Sequence, residues 1–127
     1  MENKKTILVV EDEKSLINAI IDALHLKNFL TLSAKNGKEG VELALSKHPD
    51  LILLDLLMPE MDGMTAFKKI REDAWGANVP VIILTNLNAN NEHLVKDVFK
   101  TNPDFYLIKA DYKLADIVKK IEEVLKI

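Results

Sequence analysis

Four short apolar runs of this chain each end in side chains that could take part in phosphate or metal chemistry. These side chains are three carboxylates, a hydroxyl and an ammonium, contributed by Glu11, Asp12, Asp55, Thr85 and Lys109. Three carboxylates in one pocket would repel one another, and a divalent cation removes that conflict. Because every candidate ligand is an oxygen, the ion that such a set suits is Mg²⁺. The hydroxyl and the ammonium could bind phosphoryl oxygens, so the set predicts phosphoryl transfer to an aspartate.

Asp55 is the most unusual of these residues because of its surroundings. Four apolar residues, Leu51 to Leu54, lead directly into it, and three more precede Pro59. A carboxylate is rarely buried in such a run unless other groups pair with it. We therefore expect Asp55 to emerge at the tip of a strand with partners around it.

The elements that must position these residues read as five strand–helix pairs. The predicted strands are Thr6–Val10, Leu30–Ala34, Leu51–Leu54, 81–84 and Phe105–Ile108. The predicted helices are Lys14–Leu26, a helix around 41–45 that stops before Pro49, 62–72, 92–100 and Leu114–Leu125. The first, third and fourth strands are almost continuously apolar, which is typical of a parallel sheet covered by helices on both faces. Ligands of such sheets bind beyond the carboxyl ends of the strands, where the five candidate side chains would meet.

Composition limits the possible functions. A chain of 127 residues is predicted to form one domain, residues 1–127. It contains no cysteine, which excludes a thiolate nucleophile or a thiolate metal site, and its net charge of −3 gives no electrostatic basis for binding nucleic acid. No apolar run is long enough to span a membrane, and the N-terminus is unlike a signal peptide. We expect a cytoplasmic protein that binds neither nucleic acid nor membrane.

Four motifs, at 9–13, 55–63, 80–85 and 106–109, together identify a family. With them the chain resembles a receiver domain of the two-component response regulators, and the resemblance extends from Ile7 to Leu125. It implies a flavodoxin-like α/β fold, with a doubly wound five-stranded parallel sheet of order 2-1-3-4-5 and five helices. It also implies a phosphorylated signalling module, either a single-domain regulator or a relay intermediate, that catalyses only its own phosphorylation and dephosphorylation.

The resemblance also assigns the acceptor and the metal ligands. Asp55 would accept a phosphoryl group from a phosphohistidine on a sensor histidine kinase or a histidine phosphotransfer protein. Asp12, Asp55 and the backbone carbonyl of Leu57 would bind Mg²⁺, with Glu11 helping directly or through water.

The remaining site residues would bind phosphate and relay the signal. By the same resemblance, Thr85 and Lys109 would bind the phosphoryl oxygens, and Thr85 and Tyr106 would act as the switch. The surface formed by the fourth predicted helix, the fifth strand and the fifth helix would then be recognised by a downstream partner. One departure from the family is Ala110, which stands where a proline usually follows the lysine, and we predict a trans Lys109–Ala110 bond because a cis bond there costs about 2.5–4 kcal/mol.

Two other functions remain open at this level. One is a receiver-like scaffold that is never phosphorylated, although the complete acidic, threonine and lysine set argues against it. The other is a phosphatase with an aspartate nucleophile. Such enzymes resemble the haloacid dehalogenases, which carry a second aspartate two residues after the first, and here that position is Leu57.

Overall fold

Strands and helices alternate along the chain in a computed structural model. The structure describes residues 4–56, 63–85, 105–108 and 113–127, and for Thr85 and 105–108 it describes the backbone alone. The strands are β1 (Thr6–Val10), β2 (Leu30–Ala34), β3 (Leu51–Leu54), β4 (Val81–Thr85) and β5 (Phe105–Ile108). The helices are α1 (Lys14–Leu26), α2 (Gly37–Lys47), α3 (Gly63–Glu72) and α4 (Leu114–Leu125). Because the predicted helix 92–100 lies outside the described residues, α4 corresponds to the fifth helix of the sequence prediction.

The five strands form one parallel sheet in the order β2-β1-β3-β4-β5, which is the predicted order. β1 and β3 lie at the centre, and the register pairs Val10 with both Ala34 of β2 and Leu54 of β3. This arrangement is a flavodoxin-like α/β fold. It brings the carboxyl ends of β1, β2 and β3 to the same edge of the sheet.

Helices cover both faces of the sheet and create two apolar clusters. Leu8 and Val10 of β1 face one cluster, which includes Ala44 of α2 and Phe67 of α3. Ile7 and Val9 face the other, which receives α1 through Ile17, Ile20 and Leu24 and α4 through Ile117, Val118 and Ile121. Alternate residues of one strand therefore enter opposite layers, which explains why β1 and β3 read as continuous apolar runs.

Local signals set the ends of α2. The side-chain oxygen of Asn36 accepts a hydrogen bond from the Glu39 backbone N–H (2.8 Å), which caps the first turn. His48 follows the last turn in the left-handed conformation, with φ of 49°, directly before Pro49. The predicted stop before the proline is confirmed.

One boundary differs from the prediction by one residue. β4 continues through Thr85 because this residue pairs in register with Ile108 of β5. α3 is described from Gly63 to Glu72, and the predicted start at Asp62 lies outside the described residues.

The segment between α3 and β4 is held by side-chain hydrogen bonds although its sequence is loop-like. Nη1 of Arg71 donates to the carbonyl oxygens of Gly76 (2.8 Å) and Val79 (2.7 Å). The Trp75 ring stacks on His48 with centroids 4.4 Å apart and planes 9° from parallel. These contacts tie the end of α3 to the loops that precede β3 and β4.

Within the described ranges, no helix has both the length and the apolar character required to cross a bilayer.

Candidate functional site

The two central strands place Glu11 and Asp55 side by side. Since Val10 and Leu54 are paired, the residues that follow them leave β1 and β3 at the same level. The Asp55 backbone N–H donates to the Val10 carbonyl oxygen (3.0 Å), and the Glu11 N–H donates to the Ala34 carbonyl oxygen (3.0 Å). Backbone hydrogen bonds between strands therefore hold both acidic residues where the strands end.

Three carboxylates form the acidic cluster, which consists of Glu11, Asp12 and Asp55. One carboxylate oxygen from each lies within 4.8 Å of the others. Glu11 and Asp55 are only 2% and 4% exposed, whereas Asp12 is exposed to solvent. The Asp12 backbone N–H donates to Glu11 Oε2 (3.0 Å), which orients the buried carboxylate.

This donor set fits Mg²⁺. Its candidate ligands are all oxygens, and a divalent cation would offset the repulsion among three neighbouring carboxylates. Mg²⁺ usually takes one or two carboxylates and keeps several waters, and the exposed side at Asp12 leaves room for them. Of the predicted protein ligands, Leu57 lies outside the described residues.

Gly63, at the start of α3, packs directly against the backbone of Asp55. A Cβ atom built on Gly63 would lie 2.8 Å from the carbonyl carbon of Asp55 and 2.5 Å from the Cα of Leu56, and would also collide with the Asp55 carbonyl oxygen. The Gly63 N–H donates to the Leu56 carbonyl oxygen (2.9 Å). This residue therefore supports the position of Asp55, a role that the sequence prediction did not assign to Gly63.

Of the other predicted site residues, the structure describes only the backbone of Thr85 and Tyr106. Thr85 is the last residue of β4, the neighbour of β3, and Tyr106 lies on β5, where its backbone pairs with Ile83. The structure thus brings the backbone of Thr85 to the same edge of the sheet as Asp55. Lys109 and its bond to Ala110 lie outside the described residues.

Comparison with known proteins identifies the class to which this fold and this acidic cluster belong. Residues 7–122 match the response regulator receiver domain family. The chain therefore belongs to that family and is a receiver domain of two-component signalling.

Individual relatives share this domain. The chain is 35% identical over 121 residues to a protein-glutamate methylesterase/protein-glutamine glutaminase of Archaeoglobus fulgidus, a match covering 94% of this chain and 34% of that protein. It is 34% identical over 120 residues to the nitrate/nitrite response regulator NarL of Escherichia coli K12, covering 93% of this chain and 53% of NarL. The chain thus spans about a third of the first relative and about half of the second, and the match to the esterase is confined to its receiver portion.

A solved structure gives the most direct comparison of the site. The receiver domain of the sensor histidine kinase PA1611 from Pseudomonas aeruginosa PAO1 superimposes with a TM-score of 0.86 at 25% identity, covering 98% of this chain and 100% of that one. That crystal structure has a magnesium ion coordinated in its active site cleft.

Proposed function

We propose that Asp55 accepts a phosphoryl group from the phosphohistidine of a sensor histidine kinase or of a histidine phosphotransfer protein. The observation that carries this proposal is the acidic cluster, in which Asp55 lies at the carboxyl end of a central strand within metal-sharing distance of Glu11 and Asp12. A carboxylate in that position can attack phosphorus if its own charge and the charge of the phosphoryl oxygens are neutralised. Membership in the receiver family supports the same chemistry.

Each side chain has a defined part in this mechanism. Glu11, Asp12 and Asp55, with the backbone carbonyl of Leu57, would hold Mg²⁺, which supplies charge neutralisation for the phosphoryl oxygens. A carboxylate oxygen of Asp55 forms the new bond to phosphorus, and the bond from phosphorus to the donor histidine nitrogen breaks. The catalysis is limited to the phosphorylation and dephosphorylation of the domain itself.

Phosphate binding and signal output belong to the β4–β5 side of the sheet. Thr85 would donate a hydrogen bond to a phosphoryl oxygen, and Lys109 would pair with another. Thr85 and the strand that carries Tyr106 are neighbours in the sheet. Movement of Thr85 toward the phosphate can therefore be coupled to a change in Tyr106, which biases a two-state surface that includes β5 and α4. The predicted helix 92–100, the third part of the expected output surface, lies outside the described residues.

We further propose that residues 1–127 act as one receiver domain that passes the signal to a downstream protein partner. Its donor would be a kinase that uses a nucleoside triphosphate, so we expect the domain to act in the cytoplasm. We expect it not to bind nucleic acid, because a net charge of −3 gives no attraction to phosphates, and not to enter a membrane, because its apolar runs are short.

Intact-mass measurement after incubation with Mg²⁺ and acetyl phosphate tests the acceptor. We expect one phosphoryl adduct on the wild type, and no adduct on Asp55→Asn or when EDTA removes the metal. Asp22→Asn, an exposed aspartate of α1, is the matched control and should be phosphorylated normally. Steady release of phosphate without an adduct would indicate a phosphatase, and no change in mass under any condition would indicate an unphosphorylated scaffold.

A further inference from the structure

A cavity of about 450 Å³ opens beside the acidic cluster, between the segments that follow β1 and β2. Its wall includes Glu11 and Asp12 of the cluster, together with Lys14, Ser33 and Lys35. The two lysines and the serine are exposed, so their polar groups can reach a bound molecule. The cavity therefore adjoins the acidic cluster and carries groups of the opposite charge.

The lysines alter the charge that an incoming molecule would meet. Three carboxylates with one Mg²⁺ would leave one negative charge, and Glu39, which also lines the cavity, adds a second. Lys14 and Lys35 offset both. Neither lysine forms an ion pair with a carboxylate within the described part of the chain, so both ammonium groups are available to an anion.

The first turn of α1 adds donors at the same place. α1 has 13 residues and begins at Lys14, and the preceding Glu13 makes no side-chain capping hydrogen bond. The first N–H groups of a helix have no partner within the helix, and they carry a partial positive charge that favours an anion. Of this turn, Lys14 and Ile17 line the cavity, and the two ammonium groups with the Ser33 hydroxyl give its wall three polar groups that can donate to an anion.

We propose that this cavity is a subsite for the carboxylate leaving group of a small acyl phosphate, with Lys14 and Lys35 stabilising the charge that develops on it. The inference rests on the proposed function. A carboxylate oxygen of Asp55 bonds to phosphorus, the bond from phosphorus to the acyl oxygen breaks, and its electron pair leaves with that oxygen as a carboxylate. A histidine donor leaves as imidazole, which has no negative charge for the lysines to stabilise, so the subsite favours acyl phosphates.

Two donors with different leaving groups test the subsite at saturating Mg²⁺. Acetyl phosphate releases a carboxylate, whereas phosphoramidate releases ammonia. We expect Lys14→Gln and Lys35→Gln each to slow adduct formation from acetyl phosphate about fivefold, the factor expected for one unit charge about 4 Å from another in water. With phosphoramidate, we expect both variants to behave like Lys38→Gln, a matched control that removes the same charge from an exposed position of α2 outside the cavity wall.

The Mg²⁺ affinity of the same variants, measured by titration, shows whether a slower reaction reflects the loss of the subsite or damage to the acidic cluster. Removing a nearby cation should leave Mg²⁺ binding unchanged or tighter. Weaker Mg²⁺ binding, an equal loss of rate with both donors, or acetyl phosphate rates equal to those of Lys38→Gln would each overturn the subsite. A wild type that forms no adduct with either donor would instead contradict the proposed function.

Discussion

Replacing Gly63 by alanine would push apart two backbone segments that the acidic site holds together. No glycine in the described residues has a positive φ, so Gly63 is required for space rather than for an unusual conformation. An added Cβ would lie 2.5 Å from the Cα of Leu56, whereas ordinary van der Waals contact begins at 3.4 Å. Relieving the contact therefore requires the start of α3 and the segment carrying Asp55 to separate by about 1 Å.

The loss of stability in Gly63→Ala can be estimated from the atoms that the new methyl group would contact. Overpacking typically destabilises by about 1–3 kcal/mol, while replacing glycine by alanine inside a helix returns up to about 1 kcal/mol. Since backbone atoms cannot rotate away, we expect Gly63→Ala to lower the free energy of unfolding by about 2 kcal/mol. A displacement of about 1 Å at the acceptor can also slow phosphorylation about 100-fold.

Gly40→Ala is the matched control because its added Cβ would meet only side-chain atoms. The nearest are the two methyl groups of Val10, at 2.9 and 3.0 Å. Val10 is buried and its branched side chain is stiff, so a few tenths of an ångström must be absorbed by its surroundings. The helix propensity of alanine offsets part of this, and we expect Gly40→Ala to lower the free energy of unfolding by about 1 kcal/mol, less than Gly63→Ala. Urea unfolding followed by circular dichroism, together with the rate of adduct formation from acetyl phosphate, compares the two variants. If Gly63→Ala were phosphorylated at the wild-type rate and lost no more stability than Gly40→Ala, the predicted collision with the backbone of Asp55 and Leu56 would be refuted.

Three further substitutions test separate features of the structure. Asp12→Asn should weaken Mg²⁺ binding at least about tenfold. Without metal it should raise the free energy of unfolding by about 1 kcal/mol, because it removes one of three neighbouring charges. A less stable metal-free variant in urea would contradict this. The hydrogen bond from Lys120 lowers the pKa of the Glu123 carboxyl below its ordinary value of 4.5. The stability that the ionised carboxylate contributes is therefore complete above pH 4.5 and is lost as the pH falls through the lower folded pKa. Lys120→Gln should raise that pKa in an NMR titration, and an unchanged titration would argue against the hydrogen bond in solution. Arg71→Gln should lower the free energy of unfolding by about 2 kcal/mol, since it removes hydrogen bonds from a charged donor to two carbonyl oxygens. The exposed control Lys68→Gln should stay within about 0.5 kcal/mol of the wild type, and equal losses in the two variants would disprove the role of Arg71.

The fold and the acidic cluster could be predicted because their signals are local. β1 and β3 are recognisable as uninterrupted apolar runs, and α2 has a turn signal at Asn36 and a stop before Pro49. Strands that alternate with helices imply a parallel sheet, and its carboxyl edge is where the residues after each strand collect. These signals are sufficient to group Glu11, Asp12 and Asp55 at one edge of the sheet.

Contacts between distant segments depended on the tertiary structure. The contact of Gly63 with the backbone of Asp55 and the stacking of His48 on Trp75 have no periodic sequence signal. The cavity wall likewise joins Lys14 and Lys35, which follow different strands. Such distances depend on strand register and on how closely each helix packs against the sheet. The sequence by itself therefore determined which chemical groups reach the edge of the sheet, and only the tertiary structure decided which of them touch, because ångström-scale separations arise from the packing of the whole domain.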